Sequence, residues 1–106
     1  MVELSKENFE QEVLKADGLV MVDFWSQQCE PCKELFPSVH KMAERNAGKA
    51  KFCSLDITNN KKMAISQKIL GLPTIIFYKN GQMVAVFSKD ISIDDVEAKF
   101  YELLAY

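Results

Sequence analysis

Two cysteines three positions apart, Cys29 and Cys32, stand in the segment Gln28-Cys29-Glu30-Pro31-Cys32-Lys33, just after an apolar run ending in Phe24-Trp25 and just before a helical pattern. A C-x-x-C between a strand and a helix is a redox signature, because both thiols fall in the first helical turn, close enough to close a small disulfide. The free N–H groups and dipole of that helix end stabilise a thiolate at Cys29, which can then attack a disulfide of another protein at neutral pH. Cys32, deeper in the turn, becomes the resolving thiol. The competing chemistry is zinc, since Cys53 and His40 bring the number of tetrahedral ligands to four. Their placement is poor: His40 lies more than two turns along the same helical pattern and Cys53 inside a different strand. Cys53 reads instead as an inert buried thiol and His40, the sole histidine, as a solvated side chain.

The elements that must position these residues follow from periodicity. Leu19 to Trp25 is a continuous apolar run, the mark of a strand covered on both faces, interrupted only by Asp23, whose flanks predict its burial. A helix is expected from near Cys29 to about Asn46, ending at Gly48, with Pro31 in its first turn, Pro37 bending its axis, and Leu35, Phe36, Val39, Met42 and Ala43 facing inward. An earlier helix is expected over Lys6 to Lys15, with Ser5 as its cap and Phe9, Val13 and Leu14 on its apolar face. Lys51 to Ile57 reads as a strand, and Asn59 or Asn60 caps a helix running through Ile69 and closed by Gly71. Thr74 to Tyr78 and Met83 to Phe87 are expected to form an antiparallel hairpin joined through Lys79-Asn80-Gly81-Gln82, in which Asn80 and Gly81 tolerate positive φ. Ser92 caps a last helix whose stripe is Val96, Phe100, Leu103 and Leu104. With a short strand at Val2 to Leu4, the order is β-α-β-α-β-α-β-β-α, an α/β chain with a central mixed sheet flanked by helices on both faces.

At 106 residues the chain is expected to form one domain, 1–106, with a core large enough to need no disulfide framework. A formal charge of -2 gives no electrostatic footprint for nucleic acid or an anionic membrane surface. No apolar run approaches the ~18 residues of a spanning helix, and Met1 to Gly18 has no signal-type stretch, so a soluble, cytoplasmic protein is expected. Gly-rich phosphate loops are absent, and no bound cofactor or metal is expected.

Taken together, Val22-Asp23-Phe24-Trp25, Cys29-Glu30-Pro31-Cys32-Lys33, Pro37, Gly71-Leu72-Pro73-Thr74 and Lys79-Asn80-Gly81 resemble the thioredoxin family over the whole chain. The resemblance implies the thioredoxin fold and a protein dithiol-disulfide oxidoreductase that reduces protein disulfides and is itself re-reduced by a flavin-containing thioredoxin reductase. It also implies that Pro73 is cis and packs beside the cysteines, that the backbone at Leu72 binds an extended substrate segment, and that Asp23 is buried beneath Cys32. A carboxylate so buried has a raised pKa and can accept or return the Cys32 proton. Trp25 is placed to shield the disulfide from water. Cys29-Glu30-Pro31-Cys32 with Ala64 to Leu70 further resembles a branch of anaerobic amino-acid-fermenting bacteria, which suggests a selenoprotein of the glycine-reductase type as a partner. The chain is read as a monomer.

Four departures from the family pattern bear on the site. Glu30 replaces a glycine, and a carboxylate about 7 Å from the Cys29 sulfur disfavours the thiolate by roughly 0.5 to 2.4 kcal/mol for effective dielectrics of 80 down to 20. That pulls the pair toward a stronger reductant and away from an oxidase or isomerase. Gln28 replaces an aromatic, and Ser54 replaces the lysine near the buried carboxylate, which leaves Asp23 without a cation. Ser88-Lys89-Asp90 is polar where small apolar residues and glycine are usual, so the partner-binding surface is expected to be specialised. The alternative from another class is a non-catalytic thioredoxin-like binding or assembly subunit whose cysteines are incidental.

Overall fold

The computed structural model describes residues 1–105. Five strands form one sheet: β1 (Val2–Leu4), β2 (Leu19–Trp25), β3 (Lys51–Asp56), β4 (Thr74–Lys79) and β5 (Gln82–Ser88), in the order β1-β3-β2-β4-β5. β1, β3 and β2 are mutually parallel, while β4 runs antiparallel to β2 and β5 antiparallel to β4. Alternation along β2 divides the core. Val20, Val22 and Phe24 point into one apolar cluster with Phe9, Val13, Leu55, Ala64 and Tyr78, whereas Met21 points into a second with Val39, Met42, Phe77 and Phe100. The second cluster lies under helices α1 (Glu30–Arg45) and α3 (Ile93–Leu104), the first under the N-terminal turn and α2 (Lys61–Ser66). Helices on both faces of a mixed sheet match the architecture expected from the sequence.

The hairpin forms where Asn80-Gly81 places it. Both residues take the left-handed conformation, with φ of 51° and 81°, as a two-residue turn of this hand requires. A Cβ at Gly81 would lie 2.2 Å from the Leu14 carbonyl oxygen, so the turn also needs glycine to let the N-terminal segment pass over it. Asn80 stitches the two together by accepting from the Gly18 N–H at 2.8 Å. α1 runs unbroken through Pro37 and is locked to α3 at its far end. There the buried Asn46 donates to Glu97 at 2.9 Å and accepts from the Tyr101 hydroxyl at 2.7 Å, and Arg45 pairs with Glu97 at 2.6 Å. The Arg45 hydrogen bond holds the Glu97 carboxyl below its ordinary pKa.

Four expectations are corrected. The first helix shrinks to one wide turn, Glu10–Leu14, in which Lys15 donates to the Glu10 carbonyl five residues back; the wider turn keeps Phe9 and Val13 inward and leaves Leu14 exposed. The helix expected through Ile69 is a short 3₁₀ turn, Ile57–Asn59, followed by α2, because the Asp56 side chain caps the former at the Thr58 N–H and Lys68 leaves the helical region at φ 63°. Lys68, not Gly71, therefore terminates that segment. Phe36 and Leu104 turn out of the core; Phe36 instead stacks on His40 with ring centroids 5.9 Å apart.

Candidate functional site

The antiparallel pairing of β2 and β4 decides what stands at the end of the sheet. Phe24 is opposite Thr74, so the chain leaving β2 toward Cys29 and the chain entering β4 through Pro73 meet at the same edge. β5 adds a third segment there, since Ser88 is opposite Thr74 and the Lys89 N–H donates to the Pro73 carbonyl at 2.9 Å. Pro31, Leu72 and Pro73 line one groove together with Lys89 and Asp90.

Cys29 and Cys32 are joined as a disulfide, with Cα atoms 5.3 Å apart. Cys29 is the N-cap of α1 in an extended conformation, and its Sγ accepts from the Cys32 N–H at 3.2 Å. Its side chain is half-buried while Cys32 is buried. The accessible sulfur therefore sits at the positive end of a sixteen-residue helix, the placement that favours a thiolate. Pro31 occupies the first turn, where its missing N–H costs nothing. Glu30 projects into water with its side chain 75% exposed and pairs with Lys33 at 3.4 Å, which puts its effect on the Cys29 sulfur at the weak end of the expected range.

The Leu72-Pro73 peptide is cis, as expected. The Thr74 hydroxyl donates to the Gly71 carbonyl at 2.7 Å, which closes the loop around Leu72. Among the described residues neither the N–H nor the carbonyl of Leu72 is paired within the chain.

Asp23 is 2% exposed, on the sheet face that carries Met21 and that α1 covers. Ser54 is its register partner on β3 and Ile75 on β4. No cation or hydrogen-bond donor reaches the carboxyl among the described residues, and burial pushes its pKa up to about 7. Trp25, the next residue on that face, lines an apolar depression with Cys32, Lys33 and Phe36.

Phe36 is the site residue that sequence reasoning misplaced. Its spacing of four from Cys32 puts both on one face of α1, and that signal was available in the helical period. Gln28 is exposed beside Cys29. His40 lies on the solvent side of α1 with Glu44 at 3.5 Å, and Cys53 is fully buried in the first cluster, where burial drives its pKa up to about 12. Among the described residues no group of three or more His, Cys, Asp or Glu side chains is arranged to hold a metal, and no helix is long and apolar enough to cross a membrane.

A family model described as Thioredoxin matches residues 1–101. Thioredoxin of Acetoanaerobium sticklandii is 46% identical over 99 residues, covering 92% of this chain and 94% of that protein. Thioredoxin of Peptoclostridium acidaminophilum is 48% identical over 90 residues, covering 85% and 82% respectively. Thioredoxin of Pseudomonas aeruginosa is 39% identical over 85 residues, covering 80% and 79%. The first two relatives come from the anaerobic branch that the sequence resembles. With a disulfide at the helix start, a cis proline in the facing loop and this match along nearly its whole length, the chain belongs to the thioredoxin family of protein disulfide oxidoreductases.

Proposed function

We propose that the chain acts as one domain that reduces protein disulfides by two thiol exchanges at Cys29 and Cys32. The Cys29 thiolate attacks one sulfur of the partner's disulfide; that S–S bond breaks, a mixed disulfide forms, and one partner thiolate leaves. Cys32 then gives up its proton, with Asp23 as acceptor, and attacks the Cys29 sulfur. The second partner thiolate leaves, the partner has gained two electrons and takes up two protons, and the Cys29–Cys32 disulfide remains. The observation that carries this reading is the pairing of a half-buried sulfur at a helix N-terminus with a buried one behind it.

The unpaired Leu72 backbone beside cis Pro73 is suited to pairing with an extended partner segment, as a short added strand. Trp25, Glu30 and Pro31 form the surface against which the partner's sulfur is presented. The reaction is thiol chemistry throughout and uses no bound cofactor.

The family works with disulfide substrates and a reductase. We assign the electron supply to a flavin-containing thioredoxin reductase and, on the similarity to the two anaerobic relatives, include a selenoprotein of the glycine-reductase type among the recipients. A monomer working in the cytoplasm fits these exchanges. The test is reduction of a protein disulfide by the pre-reduced chain. Cys29→Ser abolishes it, and Cys32→Ser accumulates the mixed disulfide, seen by mass. No activity in the unmodified chain favours instead a non-catalytic assembly subunit, and full activity in Cys29→Ser overturns the assignment of Cys29 as the attacking thiol.

A further inference from the structure

β5 is one of the two edge strands, and its two faces have different fates. Ala85 and Phe87, opposite Phe77 and Ile75, lie on the face packed with the α3 cluster. Val86 and Ser88, opposite Ile76 and Thr74, lie on the other face, where Val86 is 54% exposed while Ile76 beside it is buried. The segment from Gln67 to Gly71 runs alongside this open face. It is pinned from both sides, by burial of Ile69 and by the Tyr78 hydroxyl donating to Gln67 at 2.9 Å, so Leu70, 95% exposed, is held out toward solvent by an anchored loop. The result is a groove of about 400 Å³ with Ile69 and Ile76 in its floor and Leu70, Met83 and Val86 on its sides.

The charges of this groove have one sign. Its only charged lining residues are Lys68 and Lys89, and neither ammonium pairs with an acid among the described residues. This stands out in a chain of formal charge -2. Both lysines also sit in the left-handed region, at φ 63° and 64°, which non-glycine residues rarely adopt. The groove is continuous with the redox site, because the Lys89 N–H is bonded to the Pro73 carbonyl and Gly71 precedes Leu72. A segment leaving the Leu72 backbone in this direction passes Lys89 first and Lys68 after it.

We propose that the open face of β5 between Lys68 and Lys89 docks an extended segment of the protein being reduced, one that flanks the partner's disulfide and combines acidic with apolar side chains. The proposal rests on the disulfide-reductase reading and adds a substrate preference to it. Apolar side chains cover Leu70 and Val86, and carboxylates meet the two ammonium groups.

The test compares two synthetic peptide disulfides whose flanks alternate Leu with Asp in one and Leu with Lys in the other, reduced by the pre-reduced chain at low salt. The acidic peptide is expected to react about three to ten times faster, the scale of two exposed ion pairs, and the ratio falls toward one at high salt. In Lys68→Gln/Lys89→Gln, which removes both charges and keeps a polar side chain at each position, the ratio drops below about two. A ratio near one in the unmodified chain, or one that the double variant leaves intact, overturns the docking site. Reduction of a short disulfide peptide without flanks by the unmodified chain reports on the reductase reading alone; its absence overturns both.

Discussion

Replacing Asp23 by asparagine tests the buried carboxyl directly. In the folded chain burial lifts the Asp23 pKa from 3.8 to about 7. The folded state therefore binds this proton more tightly than the unfolded state does. Stability from this group is fully present below pH 3.8, declines as pH rises through the window up to about 7, and is flat beyond it. A difference of about three units at 1.36 kcal/mol each makes the ionised carboxylate cost about 4 kcal/mol above neutrality. The amide of Asp23→Asn is neutral at every pH, so the variant gains that amount at pH 8 and converges on the unmodified protein near pH 4.

The assay is urea unfolding of the oxidised protein across that range, read as the difference between the two curves. Subtraction removes groups that titrate in both proteins, such as Glu97, held low by Arg45, and Asp56, where hydrogen bonds from Thr58 and Gln27 outweigh burial. Ser54→Lys serves as the second arm. It places a cation at the register partner of Asp23, so the upper end of the window moves below pH 7 while the carboxyl stays. A difference curve equally large at pH 4 and pH 8 would refute the reasoning, because the gain would then come from shape or packing and not from ionisation. The same Asp23→Asn substitution removes the carboxyl proposed as the proton acceptor, so resolution of the mixed disulfide is expected to slow and lose its pH dependence near neutrality.

Two further outcomes follow from the site and its support. Gly81→Ala meets the Leu14 carbonyl and a left-handed backbone together and costs about 2 to 5 kcal/mol by urea unfolding; a loss below about 1 kcal/mol shows that the turn gives way cheaply. Glu30→Gly removes a well-solvated carboxylate near the Cys29 sulfur and raises the reduction potential by about 10 to 15 mV, measured in defined thiol buffers, with an unchanged or lower value contradicting the electrostatic account of Glu30.

The parts of the fold that announce themselves in sequence are those whose residues satisfy local and tertiary demands together. Leu19 to Trp25 is apolar at every position but one because it becomes a central strand, and Asn80-Gly81 turns where its own φ preferences allow. The segments that departed from expectation are decided by contacts distant in sequence. Leu14 is apolar yet exposed because its backbone is committed to lying over Gly81. The helix after Asn60 stops early because Ile69 is drawn into the core and Tyr78 captures Gln67, a pairing eleven residues away that no periodicity displays. At the site, the cysteines and Asp23 are legible from their neighbours; the helical period puts Phe36 on the Cys32 face of α1, but it does not say that the covered stripe ends before Phe36.

One topological fact ties the redox site to the rest of the surface. Because β4 runs antiparallel to β2, residue 73 must return to the sheet edge from which Cys29 departs; a parallel β4 would put it at the opposite end. Because β5 then runs antiparallel to β4, residue 89 comes back to that same edge. The three loops proposed to meet a partner are thus brought together by strand direction. Chemistry common to the family can reside in Cys29, Cys32 and the cis peptide, while partner choice is free to vary at Lys68, Leu70 and Lys89 without disturbing the sheet. The strain held by two left-handed lysines is compatible with this separation, since it falls on loop residues outside both apolar clusters.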